Sequence, residues 1–218
     1  MPEYSIKDIF DMVNVGSLPS FPEEPKYAEL SPDEVKAIHD RLLAISENEE
    51  IFSALWEARN KIYEAVRMVK KRTHTDFKGS NAEGDDLDMH FIDPKDVKKS
   101  GTPLNTFNQN VTAGTAYYWS DTGDNKVELN EDEAIVIVGW YDPVASPKAD
   151  KVLFELPKRN YLADLPFRMA KDVPIVIHEP IVLGPKDKFR IKVHYESDGT
   201  DALMPIGVKI SKAENFTI

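Results

Sequence analysis

Two different periods of apolar residues divide this chain. From Ser31 to Val69 apolar positions recur every three to four residues, the spacing of one helix face, and beyond Val111 they recur every second residue, the spacing of one strand face. In the first block Ser31, Pro32 and Glu34 make a helix start: the serine caps free amides, proline fits the first turn, and the glutamate reaches back to complete a capping box. Val35, Ile38, Leu42 and Ile45 follow on one face. A second start at Ser46 and Glu49 leads to Ile51, Phe52, Leu55, Trp56, Ile62, Tyr63, Val66 and Val69, so the pattern predicts an antiparallel or bent pair of helices. Lys70, Lys71 and Arg72 close the second, where positive charge complements the helix dipole.

Ahead of this block, Ser5 and Asp8 read as the start of a short amphipathic helix bearing Ile6, Ile9, Phe10 and Val13, with Gly16 closing it. Pro19, Pro22 and Pro25 then favour an extended path, and residues 17–30 read as an arm. Phe10, Phe21 and Tyr27 are the side chains with which this region would touch another surface. Between the two periodic blocks, residues 73–110 are rich in Gly, Asp, Asn, Ser and Lys, with Leu87, Met89, Phe91 and Ile92 as sparse anchors. They read as a long connecting loop.

The alternating block predicts strands at Thr115–Trp119, Lys126–Leu129, Ala134–Tyr141, Lys151–Leu156, Val173–Ile177, Pro180–Leu183, Lys188–Tyr195 and Leu203–Ser211. Phe189, Ile191, Val193 and Tyr195 share one face, while Arg190, Lys192 and His194 share the other, as in a sheet with one buried and one wet side. The expected fold is α+β: N-terminal helices and an extended arm, followed by a C-terminal antiparallel β-sandwich of jelly-roll type. The expected divisions are a helical region at 1–72, a loop at 73–110 and a sandwich at 111–218. A short echo runs within the sandwich. Val127-x-Leu129, a turn, and Ile135-x-Ile137 match Ile181-x-Leu183, a turn, and Phe189-x-Ile191, with Asn130 and Gly184 at the same place in each turn.

Charge and composition narrow the function. A net charge of -11 opposes close approach to phosphate backbones, so the reading is of no direct nucleic-acid contact. No apolar run reaches the roughly 20 residues that span a bilayer, and the acidic start lacks the basic end of a signal peptide. The expectation is a chain made in the cytoplasm without membrane partners. Zero cysteines exclude disulfides, thiolate metal sites and a thiol nucleophile.

Candidate chemistry is sparse. His178, Glu179, His194 and Glu196 lie on strands that would be neighbours, yet alternation puts His178 and Glu179 on opposite faces, and a wet-face position explains them. Asp85, Asp86, Asp88, His90 and Asp93 form an acidic patch without the spacing of a calcium loop. Nucleophile elbow, phosphate loop and zinc-helix motifs are missing. The reading therefore assigns no catalytic, cofactor or metal residue and expects a non-enzymatic protein. Trp119 and Trp140, with Tyr117, Tyr118 and Tyr141 beside them, are candidate contact residues, and flat aromatic rings leave a glycan-binding alternative.

The whole layout, an amphipathic helix, a Pro-rich arm, helices and then a sandwich, resembles virion structural proteins of the jelly-roll type. That resemblance implies a capsid or decoration role in the virion. Its partners would be copies of itself and other shell proteins, and its acidic arm would touch protein and not genome.

Overall fold

A computed structural model describes residues 29–46, 49–157, 160–165 and 173–215. The expected first helix and most of the arm, with Phe10, Phe21 and Tyr27, lie outside the described residues.

Three helices come first: α1 (Pro32–Ile45), α2 (Glu49–Glu57) and α3 (Arg59–Thr73). The capping box forms as expected, with Ser31 Oγ accepting from Glu34 N at 3.2 Å and Glu34 Oε2 accepting from Ser31 N at 2.8 Å. The expected second helix is broken in two at Ala58, whose ψ of 1° is not helical. His74 ends α3 in the left-handed conformation and returns its amide to Lys70.

The strands are β1 (Leu87–Phe91), β2 (Lys98–Lys99), β3 (Thr102–Pro103), β4 (Gln109–Val111), β5 (Gly114–Trp119), β6 (Val127–Glu128), β7 (Ala134–Tyr141), β8 (Ala149–Glu155), β9 (Asn160–Asp164), β10 (Ile175–Leu183), β11 (Lys188–Tyr195), β12 (Gly199–Asp201) and β13 (Met204–Lys212). One antiparallel sheet has the order β1-β13-β7-β10, and the other has the order β5-β11-β8-β9 with β6 also on β11. Small ladders join β2 to β3 and β12 to β4. Counting the eight principal strands in chain order, the sheets run 1-8-3-6 and 2-7-4-5, two interleaved Greek keys forming a jelly roll.

The reading of residues 73–110 as a connecting loop is corrected by β1. It adds to β13 in full register from Leu87↔Lys212 to Phe91↔Val208, and Leu87 and Met89 are completely buried. The sandwich begins before residue 110.

The molecule has three layers. Ile38 and Leu42 of α1, Leu55 of α2, and Ile62, Val66 and Val69 of α3 pack on Ala134, Val136, Val138, Ile206, Val208 and Ile210 of the first sheet. On the opposite face of that sheet Ile135, Ile137 and Trp140 meet Val152, Phe154, Phe189, Ile191 and Val193 of the second. Strand β7 is thus covered on both sides, which is why AIVIVGWY is apolar throughout where a half-wet strand would alternate. Simple alternation would turn Trp140 toward the helices with Val138. Instead the register against β13 slips between Ile206 and Gly207, and the resulting bulge re-aims the indole into the sandwich. Gly139 sits at this bulge, where a Cβ would lie 2.4 Å from the carbonyl oxygen of Ile175.

The echo between the two corners is real in the structure. Asn130 N donates to Glu133 Oε2 at 3.1 Å and Gly184 N donates to Asp187 Oδ2 at 2.8 Å, so each turn is closed by a carboxylate three residues on. The turns also bond to each other through Leu129 N to Asp187 O and Lys186 N to Leu129 O.

Candidate functional site

A groove of about 810 Å³ runs between α3 and strand β10, the latter being the edge of the first sheet. The helix contributes Lys61, Met68, Lys71 and Arg72, and the strand side contributes Glu179, Ile181 and Asp187. Pro157, Pro180 and Pro185 also line it, and Pro180, within β10, withholds a donor from that exposed edge. Met68 reaches across so far that a side chain at Gly184 would meet its sulfur at 2.8 Å. The result is an apolar floor with a mixed, partly basic rim.

A buried ion pair ties the first turn of α1 to the end of α3. Glu34, in the first turn of α1, receives Lys70 Nζ at 2.8 Å on both carboxylate oxygens, and Lys70 immediately precedes the lining residues Lys71 and Arg72. Burial opposes ionisation of Glu34, but Lys70 and the amides of Ser31 and Phe77 outweigh it and hold the carboxyl below the usual range. Lys70 pairs with Asp76 as well, at 3.0 Å. The partners of its buried ammonium overcome the cost of desolvation and raise its pKa.

Two other charged clusters carry internal ion pairs. His90, Asp93 and Asp96 place ligand atoms within 4.8 Å of one another, a geometry that would suit a cation. Lys209 Nζ already stands 3.1 Å from Asp96 Oδ1 and 3.1 Å from Glu133 Oε1, while Asp96 Oδ2 pairs with His90 Nε2 at 2.7 Å. Burial raises the Asp96 pKa, yet His90 and Lys209 pull it below its ordinary value. Lys209 thus neutralises Asp96, one of the three, together with Glu133. On the outer face of the second sheet Glu155 binds Arg190 and Lys192, both of which lie over the Tyr117 ring at 5.1 Å.

The sequence-predicted residues scatter. Trp119 and Trp140 are 1% and 0% exposed, so the expectation that they contact a partner is corrected: both are core residues. Trp119 packs edge-on to Phe189, and Trp140 to Tyr118. His178 and His194 stand on β10 and β11, which belong to different sheets, so the strands are not the neighbours that a shared site needs. His194 instead pairs with Asp150 at 2.6 Å. From the acidic patch, Asp88 binds Arg41 and Asp85 binds Lys212. The groove itself left no local mark in the sequence, since its walls come from segments far apart along the chain.

No family model matches this chain, and no curated protein or solved structure matches it either. Among the described residues no helix is long and apolar enough to cross a membrane.

Proposed function

We propose that this chain is a non-enzymatic structural subunit that assembles through protein–protein contacts, as a capsid or particle-associated jelly-roll protein. The observation that carries the reading is the groove between α3 and the β10 edge. It is apolar at its floor and open along a sheet edge. Its occupant in this reading is the Pro-rich arm of a neighbouring copy, which carries Phe21 and Tyr27 as apolar anchors. An extended stretch of this length reaches tens of ångströms, at about 3.3 Å per residue, enough to cross to a second subunit. Partners are then copies of the same chain and other shell proteins. The glycan-binding alternative loses its two tryptophans to the core.

The test is native mass by size-exclusion chromatography with light scattering, over a range of concentrations, for the full chain and for a variant lacking residues 1–28. The full chain is expected to form a discrete oligomer and the shortened one to stay folded but monomeric. A full chain that is monomeric at every concentration would sink the assembly reading. An oligomer that survives the deletion would remove the arm and the groove from it.

A further inference from the structure

Away from the groove, at one end of the sandwich, two carboxyl groups face each other, and among the described residues no cation pairs with either. Asp142 begins the β7–β8 connection and Asp201 ends β12 in the β11–β13 connection, and each is 1% exposed. Their bonds are reciprocal. Asp142 accepts from Ala202 N in the opposite loop, and Asp201 Oδ1 accepts from Lys148 N in the first loop at 2.7 Å. Asp142 Oδ1 also receives Val144 N at 3.0 Å within its own loop. A further bond, Glu196 N to Lys148 O at 2.9 Å, joins the same two connections. Asp142 Oδ2 and Asp201 Oδ2 are both buried and accept no hydrogen from the described residues.

Two ionised carboxylates in such a place would repel one another with little water to screen them, whereas one shared proton converts the contact into a hydrogen bond. Among the described residues, the other titratable groups that act on this neighbourhood give no positive charge. Tyr118 on β5 and Tyr195 on β11 flank the pair, and burial pushes both phenols up so that they stay neutral. Tyr118 donates its hydroxyl to Leu203 O at 2.6 Å. The ammonium of Lys148 turns to Ser146 Oγ at 3.2 Å.

We propose that Asp142 and Asp201 form a proton-operated latch: while they share one proton they clasp the β7–β8 and β11–β13 connections, and its loss as pH rises lets the two loops part. Burial and the bond to Asp201 push Asp142 up to about 7 from an ordinary 3.8. The sign follows from which state binds the proton more tightly. The latched state does, so its advantage is complete below about pH 4, is lost as pH rises toward 7, and changes no further above that. The loop end of the sandwich is thereby fixed in mildly acidic solution and loosened at neutral pH. The device belongs to a single chain and does not depend on assembly.

Amide hydrogen exchange of the full chain reads it directly at Val144, Lys148 and Ala202. After correction for intrinsic exchange, their protection is expected to fall by about tenfold per pH unit between roughly pH 4.5 and 6.5 and then to level off. Asp142→Asn keeps the acceptor oxygen and supplies a permanent donor, so its protection is expected to stay flat across the same range. Equal protection at pH 5 and pH 8 in the unaltered chain would overturn the latch. So would recovery of protection at pH 8 on adding calcium alone, because a cation and not a proton would then bridge the pair. Should the variant fail to fold, the carboxyl carbon of Asp142 in the unaltered chain decides by its own titration, and a midpoint near 4 refutes the proposal.

Discussion

Glu34 and Asp142 are both buried carboxyl groups, and the protein treats them in opposite ways. Glu34 sits under the helical layer with an ammonium and two backbone amides aimed at it, so it is held ionised. Asp142 sits at the loop end of the sandwich against a second carboxyl, so its proton is held more tightly than usual. Burial raises both pKa values, and the charge of the nearest partner decides the net direction. The two sites therefore load stability onto opposite sides of the pH scale. Glu34 contributes above its ordinary value of 4.5, and that contribution is lost as pH falls through its lowered pKa. Asp142 contributes at low pH, and that contribution is lost as pH rises toward 7. Between them they place the most stable condition in mildly acidic solution.

Glu34→Ala is the most damaging substitution. It leaves the Lys70 ammonium buried with only the half-exposed Asp76 as partner, and it strips Phe77 N of its acceptor. Removing one member of a buried ion pair costs about 3–5 kcal/mol, and urea unfolding at pH 7 is the measurement. If the loss is under about 1 kcal/mol, the pair behaves as a surface ion pair and the contrast with Asp142 fails. Replacing Glu34 and Lys70 together by Gln and Met is expected to recover much of the loss, because the stranded charge goes with its partner.

These regions differ in how legible they are from sequence, for a physical reason. The capping box around Glu34 was legible because its residues are local: Ser31, Pro32 and Glu34 speak to one turn of backbone. Strands β7 and β11 were read with the bounds they have, one from an unbroken apolar run and one from strict alternation. Strand β1 was missed although Leu87, Met89 and Phe91 alternate, because Gly84, Asp85 and Asp86 before it and Asp93 and Pro94 after it carry the chemistry of loops. Strand β9 was missed because exposed Leu162 on its outer face blurs the alternation that Tyr161, Ala163 and Leu165 make on its inner face. The Lys70 partnership and the Asp142–Asp201 pair depend on which strands and helices lie side by side, and no local spacing encodes that. The bulge that turns Trp140 inward belongs to the same class: Gly139 is visible in the sequence, but the slip it permits is a property of the β7–β13 register.

A smaller effect sharpens the other half of the contrast. Asp142→Asn removes the repulsion above neutral pH while keeping a polar group that bonds Asp201. Moving a carboxyl from 3.8 to about 7 is worth at most on the order of 4 kcal/mol at about 1.4 kcal/mol per unit. The variant is therefore expected to gain stability over the unaltered chain at pH 8 and to match it near pH 4, with thermal melts at both values as the measurement. A variant that loses more stability at pH 8 than at pH 4 would mean that the carboxyl is stabilising in its charged form, contrary to the pairing described.

Ser31→Ala is the smallest change and the one that separates cap from ion pair. The serine hydroxyl accepts from Glu34 N, so its removal frees one amide at the start of α1, a loss of about 1 kcal/mol. The substitution leaves the backbone amide of residue 31 in place, and that amide, not the hydroxyl, is what Glu34 Oε2 accepts. Glu34 thus keeps Lys70, Phe77 and the residue 31 amide, and its pKa remains depressed. Thermal melts of this variant between pH 3 and pH 6 should run parallel to those of the unaltered chain, displaced downward by a nearly constant amount. A displacement that grows toward pH 6 would show that the hydroxyl helps to hold Glu34 ionised, and the helical site would then owe part of its pH response to the cap and not to Lys70.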